Sequence, residues 1–197
     1  MSVILIGGGP SATSGGSRLL HYIGDQLASQ GHRCSRLQVR ELPAQALLHA
    51  DYGDAAIVRA TALVKDADAV IIATPIYKAS FAGILKTFLD LLPQDGLAGK
   101  LVLPVATGGS QSHMLALDYA LRPVLTALSA RFILPSIYAT SDQLTWHAEL
   151  GLTLAPAIAT RVAQGVEQLS SELFALPLRR RRPPVSAGAA VVNHLNA

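Results

Sequence analysis

The segment from Ala69 to Pro93, AVIIATPIYKASFAGILKTFLDLLP, constrains the fold of this chain more than any other stretch. Ala69 to Ala73 is a continuous apolar run rich in β-branched residues, the pattern of a strand buried on both faces of a parallel sheet. The run is expected to break at Thr74-Pro75, because proline lacks the amide donor of a central strand and restricts the residue before it. From Gly83 the period changes, and Ile84, Leu85, Phe88, Leu89 and Leu92 fall on one helical face. Strand, loop and helix make a βα unit, and open parallel sheets bind ligands at the carboxyl ends of their strands. The loop Thr74-Pro75-Ile76-Tyr77-Lys78 supplies backbone amides, an aromatic ring and a cation at that position.

The same alternation runs through the rest of the chain. Val3 to Ile6 reads as the first strand, followed by the loop Gly7 to Ser17 and a helix from Arg18 to Ser29 with Leu19, Leu20, Ile23 and Leu27 on its apolar face. Arg33 to Val39 reads as an edge strand, Glu41 to Asp54 as a connection, and Ile57 to Lys65 as a helix. Leu101 to Ala106 is the fourth strand, where Pro104 implies a bulge or a missing ladder bond. It ends in a second glycine loop, Thr107 to His113, and a helix over Met114 to Ala130 that Pro123 should kink or widen. Phe132 to Ala139 is the fifth strand, Thr140 to Thr153 an irregular stretch holding Trp146 and His147, and Pro156 to Leu176 the last helix. Five strands alternating with helices predict a doubly wound α/β fold, a five-stranded parallel sheet of order 2-1-3-4-5 with helices on both faces. Residues 1–176 form one domain, and 177–197, opening on RRRRPP after Pro177, read as a flexible basic tail.

In that order the loops Gly9–Ser17, Thr74–Lys78 and Thr107–His113 converge on one edge. A glycine- and hydroxyl-rich loop feeding a helix N-terminus binds anions through free amides and the positive end of the helix dipole, and Ser14 and Ser17 can add hydroxyls. A Walker loop is excluded, since no Lys-Ser or Lys-Thr pair opens the helix. Gly7 to Ala12 matches G-x-G-x-x-A with Glu41 as the acidic residue, but Pro10 lies inside the motif and the chain is short for two nucleotide halves. A loop for a single monophosphate fits best, with a flat ring between the other two loops; a glycine-rich turn with no ligand stays open.

Charge and composition narrow the partners. The net charge is +3, and Arg179 to Arg182 account for more than all of it, so the body is near neutral and nucleic acid is not expected. A single cysteine, Cys34, suits a reducing compartment and reads as a half-buried packing residue. Met1 to Ile6 lacks the features of a signal peptide, and no apolar run approaches the roughly 20 residues of a membrane span, so a soluble cytoplasmic protein is expected. The histidines show no metal-ligand spacing, and no metal is expected. His113 and Lys78, at the mouths of the converging loops, could each contact a bound ligand or its phosphate; a plain helix-start histidine and a solvated lysine remain alternatives.

The segments ATPIYKASFAGILKTFLDLLP, GKLVLPVATGGS and HMLALDYALRPVLTAL resemble the NADPH-dependent FMN reductases of the flavodoxin-like superfamily, in particular the alkanesulfonate type of two-component monooxygenases. The resemblance implies a homo-oligomer, dimer or tetramer, that reduces FMN with NADPH and passes reduced flavin to a partner monooxygenase in sulfur metabolism. It implies that Pro10, Ser14, Gly16 and Ser17 hold the phosphate, that Pro75, Ile76, Tyr77 and Lys78 border the isoalloxazine and ribityl chain, and that Thr107, Gly108, Gly109 and Ser110 close the other side. Tyr119 matches a tyrosine that widens the fourth helix into a π-bulge at the oligomer interface. Where the family loop carries Gly-Ser-Pro-Arg and Ser-Arg-Ser, this chain has Gly9, Ser11 and Gly15, which removes one hydroxyl and two cations and predicts weak, exchanging FMN. Hydride passes between cofactor rings, so no catalytic acid or base is expected. A flavin-dependent quinone or azo reductase and a flavodoxin-like electron carrier are the alternatives, the latter disfavoured by the near-neutral body.

Overall fold

The computed structural model describes residues 1–180, and the expected tail beyond Arg180 lies outside them. Strand β1 (Ser2–Gly7) is flanked by β2 (Arg33–Gln38) and β3 (Ala69–Tyr77), and β3 pairs on its other side with β5 (Leu101–Gly108), all parallel. The fifth position is held by two short strands, β6 (Phe132–Ile133) and β7 (Ile137–Thr140), both parallel to β5. A two-residue strand, β4 (Ser80–Phe81), folds back on the end of β3, bringing the sheet to seven strands. The expected order holds, because five parallel positions remain, and the correction is to the number of strands that fill them. It is the doubly wound, flavodoxin-like arrangement.

Both faces of this sheet are covered, and the side-chain alternation of each strand shows it. Ile4, Ile6, Val70, Ile72, Val102 and Ala106 enter one hydrophobic cluster, while Val3, Leu5, Ala69, Ile71, Ala73, Leu101, Leu103 and Val105 enter the other. The first cluster is closed by α3 (Ala55–Lys65) and α4 (Gly83–Leu89), through Ile57, Val64, Leu85 and Phe88. The second is closed by α1 (Gly15–Ser29) and α6 (Pro156–Arg180), through Leu19, Leu20, Ile23, Leu27, Ile158, Val162, Leu169 and Leu173. α1 and α3 are capped by Ser14 and Asp54, each cap contributing about 1 kcal/mol.

Several local expectations are revised. β3 runs on through Thr74 and Pro75 to Tyr77, with Pro75 opposite Thr107, so the proline is accommodated at the strand's end and no break occurs there. Pro104 keeps its register with Ile72; the irregularity falls on its other side, where the partners shift from Val102↔Ile133 to Val105↔Ile137. One extra residue is inserted opposite the proline, a bulge that interrupts the fifth strand where β5 has no amide to offer. The connection after β2 contains a short helix, α2 (Ala44–Leu48), and the last helix continues past Pro177 to Arg180. The single helix expected over Met114–Ala130 is a composite: a 3-10 turn at Gln111–His113, a π turn at Leu117–Leu121 and α5 (Arg122–Ala127), with Pro123 in the first turn of α5. The π turn lies at the position the family resemblance assigns it. The stretch expected to be irregular is a hairpin, β8 (Leu144–His147) with β9 (Gly151–Leu154). Among the described residues no helix is long and apolar enough to cross a membrane.

His32 ties α6 to the start of β2. It is 4% exposed, with Nε2 at 2.8 Å from Ser170 Oγ and its ring centroid 5.1 Å from that of Phe174, while Nδ1 has no partner. Burial first, then the nearby N-terminal amine, lowers its pKa from the usual 6.5. Below that value the unfolded chain binds more protons than the folded one at this residue, so stability drops as the pH falls. We expect the thermal midpoint to decline below pH 6.5 and His32→Gln to remove part of that slope; equal slopes by calorimetry would assign the decline to other groups.

Candidate functional site

The carboxyl ends of β1, β3 and β5 meet at one edge. Gly8 N donates to Ala73 O at 2.8 Å, and the Gly9 backbone passes so near β3 that an added Cβ would lie 3.2 Å from Pro75 Cδ. A Cβ on Gly16 would lie 3.0 Å from Thr107 Oγ1, which puts the first turn of α1 against the end of β5. Gly7, Gly9, Ser14, Gly16, Ser17, Ala73, Thr74 and Pro75 line the resulting cradle. Side chains at Gly9 and Gly16 would crowd it, so the glycines keep it open. The structure therefore brings Ser14, Gly16, Ser17, Pro75 and Thr107 together, with Pro10 exposed on the loop above them.

The donors in the cradle belong to the start of α1. Ser14 Oγ accepts from Ser17 N at 3.2 Å and lies 3.0 Å from Ser17 Oγ, and the Ser17 hydroxyl donates to Ser11 O at 2.8 Å. Arg18 N donates to Ser14 O at 3.0 Å. The next free amides, those of Gly15 and Gly16, stand at the positive end of the helix. Free amides, hydroxyls and the positive end of a helix dipole are the donor chemistry that a phosphate monoester takes.

The second loop is a tight hairpin. Tyr77 pairs with Ser80, leaving Lys78 and Ala79 as a two-residue turn with φ of 50° and 61°. Positive φ at both positions is the primed turn that suits hairpin twist, here made without glycine. Thr74 Oγ1 accepts from Ala82 N at 3.0 Å, fastening the foot of the hairpin to the start of α4. Tyr77 is 54% exposed and Lys78 is exposed, so both project at the rim. Ile76 does not join them: it is buried in the cluster with Leu85 and Phe88, and its side chain belongs to the core.

The third loop owes its shape to a residue the sequence reading passed over. Tyr138, in β7, donates its hydroxyl to Ser110 O at 2.6 Å. A Cβ on Gly108 would overlap that hydroxyl, so any side chain there would force Tyr138 to shift. Burial raises the Tyr138 pKa, which keeps the phenol protonated as a donor. A lone tyrosine in the apolar run Ile137–Thr140, near a strand's carboxyl end, was the available signal. Gly109 faces open space, Ser110 Oγ accepts from Ser112 N at 3.2 Å, and His113 ends the 3-10 turn in solvent.

The hairpin β8–β9 lies beside the cradle. A Cβ on Gly15 would fall 3.0 Å from Leu144 Cδ1, so this hairpin covers the position where the family loop carries its second arginine. Two residues along β8, the ring of Trp146 stacks with Arg18, whose guanidinium carbon is 4.2 Å from the ring centroid. The sequence reading left Trp146 unassigned, because a contact between residues so distant in the chain gives no periodic signal.

The family model described as NADPH-dependent FMN reductase matches residues 1–145. An FMN reductase (NADPH) of Pseudomonas putida is 44% identical over 194 residues, covering 95% of this chain and 93% of that protein. One from Escherichia coli is 40% identical over 168 residues, covering 85% and 87%. The apo crystal structure of an NADH:FMN oxidoreductase superposes with a TM-score of 0.82 at 36% identity, covering 94% of this chain and 99% of that one.

Gly108→Ala is expected to destabilise the fold by about 1–3 kcal/mol, since Tyr138 must move. Tyr138→Phe should cost about 0.5–1.5 kcal/mol by losing one hydrogen bond. Urea unfolding measures both, and a neutral Gly108→Ala would show that the tyrosine yields freely.

Proposed function

The chain belongs to the NADPH-dependent FMN reductase family, and on that premise we propose that it takes up FMN as an exchanging substrate and reduces it with NADPH. The observation that carries this reading is the cradle at the start of α1, which offers amides and hydroxyls for one phosphate group and no second half for an adenosine. When bound, NADPH supplies a hydride and FMN accepts it, so the chemistry resides in the two ring systems. The protein's part is placement. Gly15 and Gly16 offer amides, and Ser14 and Ser17 hydroxyls, to the phosphate. The Tyr77–Lys78 turn stands on one side of the space above, and the Gly108–Ser110 loop, held by Tyr138, on the other. Their exposure supports a ring reached from solvent and exchanged there.

Weak holding suits an enzyme that passes its product onward, and reduced FMN would serve a flavin-dependent monooxygenase as co-substrate. The single cysteine supports a cytoplasmic setting. A homo-oligomer is supported by the π turn: Tyr119 on it is 79% exposed, and Leu115, two residues before it, is 52% exposed. Exposed apolar groups on such a turn favour burial against a second copy.

NADPH oxidation is expected to require added flavin, with FMN preferred over FAD and riboflavin. Comparing the three with a quinone acceptor in steady state tests this; turnover with the quinone and none with free FMN would reassign the chain as a quinone reductase. Tyr119→Ala is expected to reduce the oligomer size in light scattering at unchanged helical content. An unchanged size would place the interface elsewhere.

A further inference from the structure

The segment Gly7–Ser17 contains no lysine or arginine, so a phosphate dianion in the cradle would meet amides and hydroxyls only. Arg18 is the first basic side chain of the protein. It lies four residues after Ser14, on the same face of α1, and long helical side chains slope back toward the N-terminus. Its guanidinium thus belongs beside the turn that opens the cradle.

Two further observations bear on it. Among the described residues Arg36, Arg40 and Arg122 each face a carboxylate, whereas Arg18, like several other arginines of the chain, forms no ion pair. What distinguishes it is the face of Trp146, whose ring centroid lies 4.2 Å from the guanidinium carbon. Stacking engages the π face of a guanidinium and leaves its in-plane N–H groups available, and those are the groups that grip phosphate in pairs. A tryptophan under the arginine therefore fixes its plane without neutralising its charge. The hairpin that carries Trp146 reaches this position because Gly15 is small: Leu144 occupies the space a side chain there would need. A side chain at 15 would have to displace Leu144, and with it this part of the hairpin.

We propose that Arg18, oriented by Trp146, is the cation that receives the dianionic 5′-phosphate of the flavin mononucleotide, in place of the two loop arginines absent at Ser11 and Gly15. Arg18 is a ligand-binding residue and Trp146 a positioning residue. The assignment rests on the FMN reductase reading and adds to it the source of FMN-over-riboflavin discrimination.

The experiment titrates the full-length protein with FMN and with riboflavin, which has the same ring and no phosphate, following flavin fluorescence. Arg18→Gln is expected to weaken FMN roughly tenfold to a hundredfold, the loss of one charge-assisted contact, and to leave riboflavin affinity unchanged. Arg18→Lys should recover part of the loss. Trp146→Leu should weaken FMN alone, by less than Arg18→Gln. Inorganic phosphate, against chloride at equal ionic strength, should alter the emission of Trp146, the only tryptophan, in the native protein and not in Arg18→Gln. Equal losses for both flavins would make the stack a structural seat for the hairpin and overturn the proposal, as would unchanged FMN affinity in Arg18→Gln. Failure of the native protein to bind either flavin would instead remove the reductase reading beneath it.

Discussion

Burial of β3 on both faces is the constraint from which the architecture follows. Alternate residues of this strand enter two separate cores, Val70 and Ile72 on one side, Ala69, Ile71 and Ala73 on the other. A strand in that position must have a neighbour on each edge and helices above and below, or lose several apolar contacts worth about 0.8 kcal/mol per buried methylene. β1 and β5 supply the edges, α3 and α4 one cover, α1 and α6 the other. With every other surface of β3 committed, its carboxyl end is where the backbone turns out to solvent, and the candidate site forms there.

The parts of this arrangement governed by local periodicity were legible in the residues. The four long strands, the helices α1, α3, α4 and α6, the 2-1-3-4-5 order and the three converging loops follow from hydrophobic patterns and glycine placement. The parts governed by contacts between distant segments were not. Tyr138 stands out as a lone phenol in an apolar strand, but no local pattern names Ser110 as its partner, and none near Trp146 names Arg18. The resemblance assigns Ile76 to the site together with Pro75, Tyr77 and Lys78, and the pleat of β3 turns its side chain into the core, so only its backbone is left to face that edge. Pro104 signalled an irregularity without saying which neighbour bears it; the unbroken register toward Ile72 left only the fifth strand to absorb the extra residue.

The site also shows how one steric choice rearranges electrostatics. Gly15 frees space over the first turn of α1, Leu144 fills it, and the hairpin brings Trp146 within reach of the helix. Positive charge near the cradle then resides on a helix side chain, one turn from the cap, and no longer on the loop. Loop cations move with the loop, whereas a residue one turn into a packed helix inherits that helix's rigidity.

The turn at Lys78–Ala79 carries a mechanical consequence. Both residues hold positive φ without being glycine, at roughly 1–2 kcal/mol each, and the pairing of Tyr77 with Ser80 keeps them there. The turn has no spare residue to flex, so the aromatic ring and the ammonium group at its tip are carried on one stiff lever. Its pivot is the foot of the hairpin, where Thr74 grips Ala82 at the head of α4. A displacement of α4 would therefore swing Tyr77 and Lys78 together across the mouth of the site.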